Sequence, residues 1–149
     1  MTRERHEAGP GAVTTDFAQV IAKSGLPVVA AYLFGSAARL EAGPLSDLDV
    51  AVLFDTATAP DARVAAAARL HTLLDHVSPR PVQVVVLNDA PPLLRHRVLR
   101  DGVVLAGEQD PRRVRFEVTA LCEYLDVLPL LERVDWAVIA RARAGRLGA

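Results

Sequence analysis

The sequence predicts an α/β domain followed by a helical extension, and three observations carry that expectation. Short apolar runs rich in β-branched residues ("LPVVAAYLF", "LSDLDVAVLF", "PVQVVVL") read as strands bounded by Pro, Gly or Asn. Stretches of helical periodicity alternate with them. From Asp110 onward only helical spacing remains. Residues 1–108 are therefore expected to form the α/β body and residues 109–149 a C-terminal helical extension of the same compact unit.

The elements follow in order. "MTRERHEAGPGAVTT" has early charges but no long apolar segment behind them, so it reads as a frayed lead-in with neither a signal peptide nor a membrane anchor. "TTDFAQVIAKSG" predicts a helix with Thr15 or Asp16 near its start and Gly25 closing it. The first strand follows and turns at Gly35-Ser36 into a short helical piece, "SAARLEA". After a Gly43-Pro44 turn comes the second strand, with an acidic start. "PDARVAAAARLHTLLDHV" predicts a long helix, Pro60 in its first turn and Val64, Ala67, Leu70, Leu74 and Val77 roughly on one stripe. After the third strand, Asn88 or Asp89 is expected to cap a helix running from Pro91-Pro92 to just before Gly102, and "VVLAG" to add a short edge strand. In the extension, Val114, Val118, Leu121, Cys122, Leu125 and Leu128 recur at helical spacing. Pro129 is expected to interrupt that run before "LLERVDWAVIARARAGRL" resumes it. There Leu131, Val134 and Val138 form one stripe while Trp136 and Ile139 turn to another side, the pattern of a helix apolar on two faces, which either a protein partner on the second face or a longer internal groove would explain.

Composition narrows the function classes. With 149 residues, 51% hydrophobic, and a formal net charge of −1 spread as both signs along the chain, neither global disorder nor a strong nucleic-acid field is expected. Direct nucleic-acid binding and membrane association are not anticipated. The single cysteine, Cys122, rules out an internal disulfide and fits a reducing, cytoplasmic setting; its apolar neighbours suggest a buried core thiol. His71 and His76 lie five apart, not the four that puts two ligands on one helix face, and read as surface or packing residues. Arg95, His96, Arg97 and Arg100 favour a helix C-terminus.

The chemistry-bearing stretch is "LFGSAARLEAGPLSDLDVAVLF". On a strand of period two, Asp47 and Asp49 share a face with Ala51 and Leu53, while Leu48, Val50, Val52 and Phe54 face the core. Two neighbouring carboxylates repel, and each resists ionising unless a cation lies between them; magnesium takes one or two carboxylates and completes its shell with water and phosphate oxygens. Gly35 lets backbone approach a ligand closely, and the helix opening at Ser36 offers N–H groups and a hydroxyl to an anion. Taken singly, Gly-Ser is a turn and Asp-x-Asp the solvated face of a half-exposed strand.

Together, in the order strand, Gly35-Ser36, ten residues, Asp47-Leu48-Asp49, strand, they resemble the polymerase-β-like nucleotidyltransferases, and most closely the minimal nucleotidyltransferase (MNT) family. "LNDAPPLLRHRVLRDGVVL" and "RVRFEVTALCEYLDVLPLL" are also similar to later MNT segments, so the resemblance spans roughly residues 16 to 135. It implies a small mixed sheet flanked by helices, with Gly35 and Ser36 holding the triphosphate of ATP, Arg39 within reach of a phosphate, and Asp47 and Asp49 binding Mg2+. It further implies an antitoxin that transfers AMP from ATP to a tyrosine of a HEPN-domain ribonuclease toxin. In one respect the chain departs from the family. A third carboxylate is expected on the third strand, where Gln83 stands, with Asp89 past the strand end. An amide offers a metal one oxygen but cannot act as a general base. Two readings stay open: an active adenylyltransferase with a weakened third ligand, and a nucleotide-binding or silent antitoxin that acts by holding its toxin. Modification of a small molecule such as an aminoglycoside is disfavoured, because such relatives carry a larger second domain.

Overall fold

The computed structural model describes residues 10–35 and 46–144. Among the described residues four helices and four strands follow one another: α1 (Pro10–Lys23), β1 (Val28–Phe34), β2 (Leu48–Phe54), α2 (Pro60–Val77), β3 (Val82–Val86), α3 (Pro92–Asp101), β4 (Val103–Ala106) and α4 (Pro111–Arg143). The anticipated α/β class and the edge strand are present. The "SAARLEA" segment lies outside the described residues.

The strands form one mixed sheet in the order β3-β2-β1-β4, with β1 antiparallel to β2 and β4 and β2 parallel to β3. One face packs Leu48, Val50, Val52 and Phe54 of β2 against Val13, Phe17 and Ile21 of α1 and Ala66, Leu70 and Leu74 of α2. The other face is core as well. Ala51 and Leu53, placed by sequence on the aspartates' side, are buried with Tyr32, Leu87 and Val98 beneath α3, and partly buried Phe116 of α4 packs there too. Because helices cover both faces, β2 is apolar at every position after Asp49.

Several local expectations are corrected. α1 begins at Pro10, ahead of Thr15 and Asp16; proline costs no hydrogen bond in a first turn, and the early start brings Val13 onto the stripe of Phe17 and Ile21. β2 starts at Leu48, so Asp47 lies just before the strand rather than within it. In α2 the buried stripe is Ala66, Leu70 and Leu74, while Val64 is 69% exposed and Val77 is also exposed. Neither Asn88 nor Asp89 caps α3, whose N-cap is Pro91. The Asn88 amide instead extends the sheet: its Oδ1 accepts from the Phe54 N–H and its Nδ2 donates to the Phe54 carbonyl, both at 2.9 Å. Asp89 pairs with Arg63 at 3.2 Å.

Pro129 does not divide the extension: α4 is one helix of 33 residues. A proline removes one backbone donor, and strong helix formers on both sides carry the helix through. α4 packs on α3 and β1. Tyr32, buried in β1, donates to Glu117 Oε1 at 2.8 Å, and Arg113 reaches the same oxygen at 2.5 Å, so a phenol hidden under the helix has its partner. Burial, and then the Glu117 carboxylate, push the Tyr32 phenol above its usual range. Arg95 lies over the Phe116 ring, donates to the Leu87 and Asn88 carbonyls and pairs with Glu123 at 2.9 Å. His96 stacks on Tyr124 with ring centroids 3.5 Å apart. Arg95 and His96 thus join α3 to its neighbours, while Arg100 pairs with Asp101 on the same helix. Cys122, expected in the core, is exposed, because Ala120 is the buried residue of α4 and the Val118–Leu121–Leu125 side faces outward.

Candidate active site

The site is assembled where β1 ends and β2 begins. Antiparallel register sets Asp49 opposite Phe34, the last residue of β1, so Gly35 follows directly beside it. Gly35 has a φ of +77°, a region costly for residues with a Cβ, and a Cβ built there would fall 2.6 Å from Asp49 Oδ2. Glycine at 35 is therefore needed twice, for the backbone turn and for room beside the carboxylate. On the other side, parallel register places Gln83 of β3 level with Asp49. The Gln83 Nε2 donates to Asp47 Oδ2 at 2.8 Å.

Four of the residues singled out by sequence, Gly35, Asp47, Asp49 and Gln83, are thus neighbours at one end of the sheet. Ser36 and Arg39 lie outside the described residues. Asp89 is turned to Arg63, away from the pair. Burial, and then the negative charge of Asp47, push the Asp49 carboxyl above the usual carboxylate range. This is the behaviour expected of two close carboxylates without a cation.

The donor set suits magnesium: two carboxylates are hard anionic oxygens, one of them already reluctant to carry its charge uncompensated. Among the described residues no group of three or more His, Cys, Asp or Glu could hold a metal ion, so the anionic contribution of the described residues here is the aspartate pair. His71 and His76 are exposed on α2 and take no part.

A family model for the polymerase beta nucleotidyltransferase domain matches residues 18–111, well over half of the chain. The chain belongs to that nucleotidyltransferase family. Its solved structural relatives share the architecture over most of its length. A chain of a toxin–antitoxin crystal structure with AMP-PNP is 25% identical, with a TM-score of 0.65, covering 85% of this chain and 98% of that one. A chain of an MntA–HpeT toxin–antitoxin mutant is 26% identical, with a TM-score of 0.58, covering 81% and 93%. A chain from the complex of a tri-AMPylated Shewanella oneidensis HEPN toxin with its MNT antitoxin, 23% identical at a TM-score of 0.61 over 87% and 98%, has the same fold. No curated protein matches the sequence. This nucleotidyltransferase domain has no helix among its described residues long and apolar enough to cross a membrane.

The long-range contacts that hold the sheet to its surroundings leave no local signal in the sequence. Asn88 and Tyr32 have partners 34 and 85 residues away in the chain. For Arg113 and Glu117 only the i, i+4 spacing was visible.

Proposed function

We propose that this nucleotidyltransferase is an antitoxin that transfers AMP from ATP to a tyrosine hydroxyl of a HEPN-type toxin partner and so neutralises it. The observation that carries the reading is the convergence of Gly35, Asp47 and Asp49 at one sheet end, with a turn that admits no side chain and a carboxylate that has no counter-charge among the described residues. The solved relative with AMP-PNP supports a nucleotide at this fold's site, and its toxin–antitoxin assembly supports the class of partner. The tri-AMPylated HEPN toxin of the Shewanella complex supplies the acceptor chemistry proposed here.

In this reading Gly35 and Ser36 face the triphosphate, Arg39 contacts a phosphate, and Asp47 and Asp49 hold Mg2+. When bound, the cation neutralises the triphosphate and polarises the α-phosphorus. The acceptor oxygen forms a bond to that phosphorus, the bond to the β-phosphate bridging oxygen breaks, pyrophosphate leaves, and the tyrosine proton is released. The added phosphate diester brings bulk and negative charge to the toxin, which opposes RNA binding. The outward apolar side of α4, Val118, Leu121 and Leu125 with Trp136 beyond, supports a protein partner on the helical extension.

Gln83 favours a second reading, a nucleotide-binding antitoxin that acts by contact alone, because an amide cannot take the acceptor proton. Both readings require magnesium-dependent ATP binding. Titration calorimetry should therefore show ATP affinity that depends on magnesium in the wild type and collapses in the Asp47→Asn/Asp49→Asn double variant, which keeps shape while removing two charges. Equal affinity in the two proteins would reject both readings.

A further inference from the structure

The aspartate pair is bounded on its β3 side by an amide. Gln83 is level with Asp49 in the parallel ladder and hydrogen-bonded to Asp47 at 2.8 Å, so it occupies the position from which a third side chain would reach a cation held by the pair. An ionised carboxylate only accepts hydrogen bonds, which obliges the NH2 end of the amide to face Asp47. To offer its carbonyl oxygen to a metal, Gln83 must first break that bond and rotate. Once rotated it contributes a dipole and no charge.

We propose that Gln83 limits this site to a single divalent cation, held by Asp47 and Asp49 together with the nucleotide. The inference rests on the nucleotidyltransferase reading above and goes further, since it sets how many cations this chain recruits. Two carboxylates balance one divalent ion. A second divalent ion about 4 Å from the first, the spacing of two-metal sites, meets a repulsion four times that of two unit charges at the same distance. The triphosphate serves the ion it shares with the pair, so a second ion on the acceptor side needs a further anionic ligand there. Among the described residues the chain provides none, and the side chain at hand is neutral. The acceptor hydroxyl then loses its proton without help from β3.

Manganese substitutes for magnesium and reports its own number and spacing by electron paramagnetic resonance. With AMP-PNP bound, the wild type should retain one protein-dependent Mn2+ per chain with the spectrum of an isolated ion. Gln83→Glu, which keeps the side-chain length, and Gln83→Asp should retain two, with the broadened spectrum of a spin-coupled pair. Gln83 is exposed, so both variants are expected to fold, and circular dichroism checks this. A coupled pair in the wild type would overturn the inference and leave the nucleotidyltransferase reading intact. One isolated ion in the wild type and in both variants would show that Gln83 does not set the count, and would overturn it as well. No protein-bound Mn2+ in the wild type would overturn the metal-nucleotide reading and the inference with it.

Discussion

Asp49 is where position and charge conflict most. Its carboxyl is held above the usual range by burial and then by Asp47, so the folded chain binds that proton more tightly than the unfolded chain does. Stability should therefore fall as pH rises from about 4, the ordinary carboxyl value, through the raised one, and the penalty should vanish at lower pH where both states are protonated. In denaturant unfolding without metal, Asp49→Asn is expected to be more stable than wild type near pH about 7, and the two should converge near pH about 3. A wild type more stable than Asp49→Asn at neutral pH would show that the carboxylate has a counter-charge after all. Gly35 is tested by Gly35→Ala. A Cβ at φ +77° costs about 1–2 kcal/mol, and its 2.6 Å approach to Asp49 Oδ2 displaces the carboxylate, so the melting temperature and magnesium-dependent ATP affinity should drop together. The aspartates, Gly35 and Gln83 were legible in the sequence because strand periodicity and the loss of a side chain at a turn are local properties. Asn88 was not, because its role depends on backbone groups of Phe54, which only the folded sheet brings near. Asn88→Ala leaves those groups unpaired in a part-buried place and should cost about 1–3 kcal/mol, read from the shift in denaturant midpoint.

Among the elements, α4 departs most from expectation. Its periodicity was legible, but Val118, Leu121 and Leu125 are exposed, and the core contact is made by Ala120 and partly by Phe116. A helical period identifies a stripe without saying what covers it. Pro129 marks a missing donor, and its effect on a helix depends on how strongly the flanking turns propagate. Pro129→Ala restores one hydrogen bond, so hydrogen exchange over residues 130–143 should slow in the variant. Unchanged exchange there would mean that Pro129 does not weaken the helix. If the outward stripe meets a partner, the paired Leu121→Glu/Leu125→Glu substitution should abolish co-purification with the toxin while leaving the melting temperature of the isolated chain within a few degrees of wild type. Retained binding would place the interface elsewhere. If that interface extends along the helix, Trp136, 68% exposed, is an anchor within it, and Trp136→Ala should weaken co-purification more than it lowers the melting temperature.

At the scale of the whole molecule, helices cover both faces of a four-stranded sheet, and the aspartate pair lies at the end of the sheet where β1 ends and β2 begins. The class of fold followed from alternating strand and helix patterns. The burial of the second sheet face did not, because α3 and, beside it, Phe116 of α4 close it from far along the chain. Tyr32 and Glu117 tie α4 to the sheet, and Arg113 supports Glu117 from within the helix. The central claim is that this frame supports AMP transfer to a protein, and the most direct measurement is incorporation of label from ATP marked at its α-phosphate into the purified toxin partner. Wild type should label the toxin in the presence of magnesium, the Asp47→Asn/Asp49→Asn variant should not, and mutation of the acceptor tyrosine should remove the signal. A wild type that suppresses the toxin while transferring no label would contradict the claim and leave binding alone as the means of neutralisation.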